Sequence, residues 1–285
     1  MRPSALTTRI FLDGGDPRET EEIKKLLGFL DGQTTNPTLI ARHPYAKERL
    51  ASGKKFNPKE IFDFYENTVR EISSLLPDSS VSIEVYADER TEPSEMFSQA
   101  EKMWGWIPNA HIKFPITTGG IVAAQRAVHE GMRVNMTLCF SEEQAAAVYA
   151  ATRGAARGRV FLSPFVGRLD DRGKDGISLV KNIVELYRKG NGHVEILAAS
   201  VRNLAHFLGA LRLGADIITT PASVLKEWAE RGMPILSGPY DSHGLTPLPY
   251  QDLDLGREWE EFDIDHALTK EGIERFSQDW NALIA

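Results

Sequence analysis

His111-Ile112-Lys113-Phe114-Pro115, Val134-Asn135-Met136-Thr137-Leu138 and Val160-Phe161-Leu162-Ser163-Pro164 are short apolar runs, each interrupted by polar residues. Between them lie Val122–His129 and an alanine-rich segment that opens at Ser141-Glu142-Glu143 and stops at Gly154. Runs of this kind read as strands buried on both faces. Helical segments between such strands imply parallel pairing through right-handed crossovers.

The same rhythm extends in both directions. Arg9–Asp13, Gly32–Thr35, Val81–Tyr86, Val194–Ala199 and Asp216–Thr220 read as further strands. Glu19–Leu27 follows Asp16-Pro17 and stops at Gly28, and Pro58–Leu75, Ile177–Arg188, Asn203–Leu213 and Ser223–Glu230 supply more helices. Eight strands in about 230 residues fit a closed (β/α)8 TIM barrel better than an open sheet. A doubly wound alternative lacks a G-x-G-x-x-G turn after the first strand. The expected organisation is a single barrel domain over 1–285 with an additional C-terminal helix over Leu268–Ile284.

Two stretches break the rhythm. Arg42–Asn57 reads as a long loop. Gly238–Asp265 reads as an irregular acidic excursion: a solvated surface segment or, functionally, a cover over the barrel mouth or a subunit contact.

Composition narrows the classes of function. A hydrophobic share of 42% excludes a largely disordered chain. A net charge of −7 argues against a nucleic-acid partner. The one cysteine rules out an intrachain disulfide and a cysteine-built zinc site. The seven histidines include no helical i, i+4 pair, so no metal or other cofactor is expected. The first residues lack the apolar stretch of a signal peptide, and no run approaches the ~18 apolar residues of a membrane span. The expectation is a soluble, cytoplasmic protein with no membrane partner, self-associating through an exposed C-terminal helix.

In this fold, chemistry sits at the C-terminal ends of the strands. Those ends carry Asp13, Thr34-Thr35-Asn36, Glu84, Lys113, Asn135 with Thr137, Ser163 with Arg168, Ser200 with Arg202, and Thr219-Thr220. Polar groups within apolar strands need partners, so their convergence on one rim implies a shared ligand or network. Lys113 is the sharpest signal. It reads either as a lysine paired with Glu84 or Asp13, or as an amine nucleophile whose desolvation favours the neutral form needed to attack a ketone. Asp13 and Glu84 are carboxylates available to move protons, and Thr137 is placed to hold a water. Arg168, Ser200 and Arg202 suit a phosphate dianion, although the adjoining Asp170 and Asp171 offer local partners.

Taken together, Phe11-Leu12-Asp13, Thr34-Thr35-Asn36-Pro37-Thr38-Leu39-Ile40, Ser82-Ile83-Glu84-Val85, Ile112-Lys113-Phe114-Pro115, Asn135-Met136-Thr137-Leu138, Ser163-Pro164-Phe165-Val166-Gly167-Arg168 and Ala199-Ser200-Val201-Arg202 resemble the transaldolase family and its fructose-6-phosphate aldolase relatives. The resemblance runs from about Ile10 to Arg231 and returns at the C-terminal helix. It implies a metal-free class I aldolase barrel in which Lys113 forms a Schiff base, Asp13 moves the substrate hydroxyl proton, and Glu84 and Thr137 manage a water. Asn36, Asn135 and Ser163 would bind the dihydroxyacetone unit, with Thr35 and Phe165 beside them, and Arg168, Ser200 and Arg202 the sugar phosphate. Glutamate at Glu84 and phenylalanine at Phe165 follow the transferases, where the cleaving aldolases tend towards glutamine and tyrosine. Pentose interconversion is the implied setting. An aldolase releasing dihydroxyacetone, a transferase for another anionic ketose such as a sulfonated sugar, and a silent sugar-phosphate-binding barrel are the alternatives.

Overall fold

The protein, seen in a computed structural model, is described at residues 2–235, 240, 242 and 244–285. Eight parallel strands pair in chain order and close on themselves: β1 (Arg9–Asp13), β2 (Gly32–Thr34), β3 (Ser80–Glu84), β4 (Ala110–Pro115), β5 (Val134–Cys139), β6 (Val160–Pro164), β7 (Val194–Ala198) and β8 (Ile217–Thr220). Helices α1 (Pro17–Leu27), α2 (Pro37–Ala41), α3 (Pro44–Ala51) and α4 (Pro58–Leu75) precede β3, and α5 (Pro93–Trp104), α6 (Thr118–His129) and α7 (Glu142–Ala151) connect the strands up to β6. After β6 come α8 (Val166–Asp170), α9 (Gly176–Tyr187), α10 (Leu204–Leu213), α11 (Ala222–Glu230) and α12 (Ala267–Asn281). This is the (β/α)8 barrel that the alternating runs predict. No helix of the described residues is long and apolar enough to cross a membrane.

Local chemistry sets the helix ends. Asp16 accepts from the Arg18 N–H, Pro17 occupies the first turn, and Gly28 ends α1 at φ 75°. Asn57 and Glu60 form a reciprocal capping box at α4. Ser141 and Asn203 cap α7 and α10 by accepting the Gln144 and His206 N–H groups, without the reciprocal bond.

Arg42–Asn57 is not a continuous loop, because α3 occupies its middle. His43 Nδ1 accepts the Tyr45 N–H at 3.1 Å, Pro44 pre-sets the first turn, and the Tyr45 and Phe56 rings pack on Phe64 with centroids 5.4 and 5.5 Å away. The α5 helix is likewise an addition to the segments expected from sequence. It opens at Glu92-Pro93 and turns Met96, Phe97, Ala100 and Met103 into the core.

Of the expected excursion, positions 238, 239, 241 and 243 lie outside the described residues. Its described remainder is fastened to the outer helices. Thr246–Pro247 pairs with Lys174–Asp175, and Leu255, Trp259 and Phe262 are buried. Arg153, just after α7, donates to the Leu255 carbonyl at 3.0 Å, and Asn182 on α9 to that of Leu248 at 3.1 Å. None of these described residues lines the central cavity.

The α12 helix crosses the C-terminal rim. Its Leu268, Ile273, Phe276 and Trp280 are buried against its own chain, and the Phe56 N–H donates to the Leu283 carbonyl at 2.8 Å. The apolar face of α12 is therefore covered within the chain, while its other face is exposed.

Gly32 shows how tightly the barrel closes. A Cβ there would lie 2.5 Å from the Phe11 ring and 2.5 Å from the Ser80 carbonyl oxygen. Gly32→Ala should lower stability by about 1–3 kcal/mol or more, read as a fall in the urea midpoint. An unchanged midpoint would contradict this packing.

Candidate active site

The strand ends open onto a cavity of about 480 Å³. Asp13, Asn36, Lys113, Thr137, Ser163, Phe165, Arg168, Ser200 and Arg202, all singled out in the sequence, line it. Thr35, Glu84 and Asn135 do not; they stand behind the lining residues and hold them. Arg42 and Arg275 line the cavity without having been anticipated. Their signal was weak, since a lone arginine on a helix usually reads as surface.

Register puts the charges together. Glu84 on β3 pairs directly with Lys113 on β4, and Lys113 with Asn135 on β5. Lys113 is only 4% exposed, its Nζ lies 2.8 Å from Glu84 Oε2, and it donates to the Thr35 carbonyl at 3.1 Å. Burial pushes the Glu84 carboxyl above the usual range, and Lys113 pulls it part of the way back. Asp13 opens onto the cavity but is walled by barrel atoms. Desolvation raises it likewise, against the pull of Lys113 and a hydrogen bond from Thr34 Oγ1 at 2.7 Å.

A chain of hydrogen bonds braces this pair. The Glu84 N–H donates to Tyr65 Oη at 3.0 Å, Tyr65 Oη lies 2.7 Å from Thr35 Oγ1, and Thr35 donates to the Ser82 carbonyl at 2.8 Å. Because the Thr35 hydroxyl proton is committed to Ser82, Tyr65 is the donor to Thr35. Tyr65 lies on α4 and was not recognised in the sequence. On the other flank, Ser163 donates to Asn135 Oδ1 at 2.7 Å, and Asn135 Nδ2 to Ser82 Oγ at 3.1 Å. Thr137 Oγ1 is buried with no hydrogen-bond partner among the described residues, which suits a water or a ligand hydroxyl.

At the far end the backbone is drawn tight. Ser200 sits at φ 54°, and Gly167 lies where a Cβ would come within 2.5 Å of Arg202 Nε. Arg168 is wedged between the Phe165 and Phe276 rings, 5.7 and 5.4 Å from their centroids, and burial followed by the nearby Arg275 lowers its proton affinity. Arg202 is already engaged: its Nη2 lies 2.7 Å from Asp171 Oδ2. The sequence treated Arg168 and Arg202 as equivalent, and in the structure they are not.

A buried lysine paired with one carboxylate, a second carboxylate lining the same cavity and a cationic far end together suit an anionic carbonyl compound. The transaldolase/fructose-6-phosphate aldolase family model matches residues 10–285. This chain belongs to that family. Among curated relatives, a probable transaldolase of Dehalococcoides mccartyi is 35% identical over 277 residues, covering 96% of this chain and 99% of that protein. A probable transaldolase of Caulobacter vibrioides is 36% identical over 245 residues, covering 80% of this chain and all of its own length (100%). Among solved structures, 3-hexulose-6-phosphate synthase from Salmonella typhimurium aligns at 11% identity with a TM-score of 0.48, over 79% of this chain and 97% of that one.

The raised carboxyls have a consequence for stability. A carboxyl that binds its proton more tightly when folded contributes stability below its unfolded pKa and loses it as pH climbs through its folded one. The contributions of Asp13 and Glu84 to stability should therefore decline from about pH 4 upwards through their raised values, opposed by the opposite slope from His43, His111, His193, His206 and His266, whose proton affinity burial lowers. Asp13→Asn should flatten part of that decline in urea titrations across pH. A decline as steep as that of the parent chain would contradict the burial assigned to Asp13.

Proposed function

We propose that the protein transfers a dihydroxyacetone unit from a ketose phosphate to an aldose phosphate through a Schiff base on Lys113. The observation carrying this reading is the buried Nζ of Lys113, 2.8 Å from Glu84 at the floor of an open cavity that Asp13 also lines. Burying an ammonium–carboxylate pair offers stability little, since desolvation offsets most of the attraction. Chemistry is the better account of it.

Attack on a ketone requires the free amine, and Glu84 is within reach to take the Lys113 proton. The nitrogen adds to the substrate C2 carbonyl. The carbinolamine oxygen then leaves as water, its proton supplied through Glu84 and the hydroxyl of Thr137. Asp13 accepts the proton of the C4 hydroxyl as the C3–C4 bond breaks. The bonding pair moves into the iminium, leaving an enamine on Lys113 and releasing an aldose phosphate. An acceptor aldehyde then takes the enamine carbon, Asp13 returns the proton to the new hydroxyl, and water hydrolyses the imine. Asn36 and Ser163 would hold the three-carbon unit beside Phe165, with Asn135 behind Ser163 and Thr35 behind Lys113 as positioning residues. Arg168, Ser200 and Arg202 lie at the phosphate end.

Holding the three-carbon unit covalently makes the second half-reaction intramolecular in effect and shields the enamine from water. Phe165 supports transfer over release, because a phenyl ring in the cavity offers no proton to the enamine. The same reading places the enzyme in cytoplasmic sugar-phosphate interconversion of the pentose type.

Borohydride added with fructose 6-phosphate should leave a reduced adduct on Lys113, located by peptide mass, and Lys113→Met should abolish both adduct and turnover. Absence of the adduct from the active parent chain would defeat the Schiff-base reading. Without acceptor, the parent should release about one equivalent of glyceraldehyde 3-phosphate and then stall, whereas Phe165→Tyr should release dihydroxyacetone continuously. Continuous release by the parent would favour the aldolase alternative.

A further inference from the structure

Strands β2 and β8 flank β1 in the closed barrel, and a threonine hydroxyl from each meets the other beside Asp13. Thr34 Oγ1 donates to Asp13 Oδ1 at 2.7 Å and lies 2.6 Å from Thr219 Oγ1. A hydroxyl carries one hydrogen. Thr34 has given its own to Asp13, so the hydrogen between the two threonines belongs to Thr219. The chain therefore runs in one direction, from Thr219 to Thr34 to Asp13. Thr219 also lines the cavity, and with its hydrogen committed its oxygen faces a ligand as an acceptor.

We infer that Thr219 reads the hydroxyl next to the aldehyde carbon of the aldose phosphate, C5 in the ketose donor, by accepting its hydrogen bond. The inference rests on the sugar-phosphate reading above. In that reading Asp13 takes the C4 hydroxyl proton, and the phosphate on C6 lies towards Ser200. β8 stands between β1, which ends at Asp13, and β7, which leads into Ser200, so C5 crosses β8. The other β8-side residue lining the cavity, Pro221, has no N–H, and its carbonyl accepts from the Val224 N–H at 3.1 Å. An acceptor at this point selects a group that can donate, so it favours a hydroxyl over a bare methylene or a carbonyl. The C5 hydroxyl stays with the aldose when the C3–C4 bond breaks, so the same contact sorts incoming acceptor aldehydes. A ligand without that hydroxyl leaves the bond from Thr219 to Thr34 in place, and the penalty is that of one neutral hydrogen bond, about five-fold in affinity.

Isothermal titration calorimetry on the intact chain tests this with two ligands that cannot form an imine. One is the glycerol phosphate obtained by reducing D-glyceraldehyde 3-phosphate, and the other is 3-hydroxypropyl phosphate, which lacks its middle hydroxyl. The parent chain should bind the first about five-fold more tightly. Thr219→Val, close in shape but without the oxygen, should bring the two affinities together, and Thr219→Ser should keep them apart. The ratio is taken within each variant, so a change in overall affinity or in the folded fraction cancels. Equal affinities in the parent, or a preference that survives in Thr219→Val, would overturn the assignment and leave Thr219 as a brace for Thr34 and Asp13. Neither ligand carries a carbonyl, so the comparison stands whatever borohydride trapping at Lys113 shows.

Discussion

The pairing of Glu84 with Lys113 across β3 and β4 is the constraint on which the site depends. An ammonium placed inside a barrel would cost several kcal/mol unless paired and hydrogen-bonded. The barrel supplies both requirements through register. Glu84 lies directly opposite on β3, and the Thr35 carbonyl, just past the end of β2 two strands away, receives Nζ. Thr35 and the Glu84 backbone are fixed in turn by Tyr65, so helix α4 reaches through the barrel wall to brace the buried Lys113 nitrogen. A one-residue slip between β3 and β4 would turn Glu84 away from Lys113 and leave both charges stranded.

Charge is distributed with the same economy. The whole chain carries a net charge of −7, yet its central cavity is lined by Arg42, Lys113, Arg168, Arg202 and Arg275 against Asp13 and Asp171. An acidic exterior around a cationic, low-dielectric pocket draws small anions to the mouth and discourages polyanions from the surface. Within the pocket, Asp13 lies near Lys113, whereas Asp171 pairs with Arg202 at the far end. The described part of the acidic segment after residue 244 is tied to Glu142 of α7 and Asn182 of α9, and none of it lines the cavity.

Much of the barrel was legible because its signal is local: apolar runs bounded by Gly, Pro and charge, with polar residues at their ends. Lys113, Asp13 and Ser163 could be placed on one rim because strand periodicity and barrel topology leave few other positions for them. What escaped depends on distant contacts. The α3 helix is held by packing of Tyr45 and Phe56 on Phe64, which no window of sequence displays. Tyr65 looked like one apolar position among several on a long amphipathic helix. The difference between Arg168 and Arg202 hinges on which of two adjacent aspartates turns towards which arginine. Arg275 matters only because α12 folds back over the rim.

The claim that Lys113 captures the ketone carbon can be tested without trapping anything. Imine formation expels the carbonyl oxygen, so fructose 6-phosphate labelled with oxygen-18 at C2 should lose its label to ordinary water when the enzyme is added without acceptor. That loss should run well above the spontaneous rate and vanish in Lys113→Met. Retention of the label while the parent chain transfers its three-carbon unit at full rate would contradict the account.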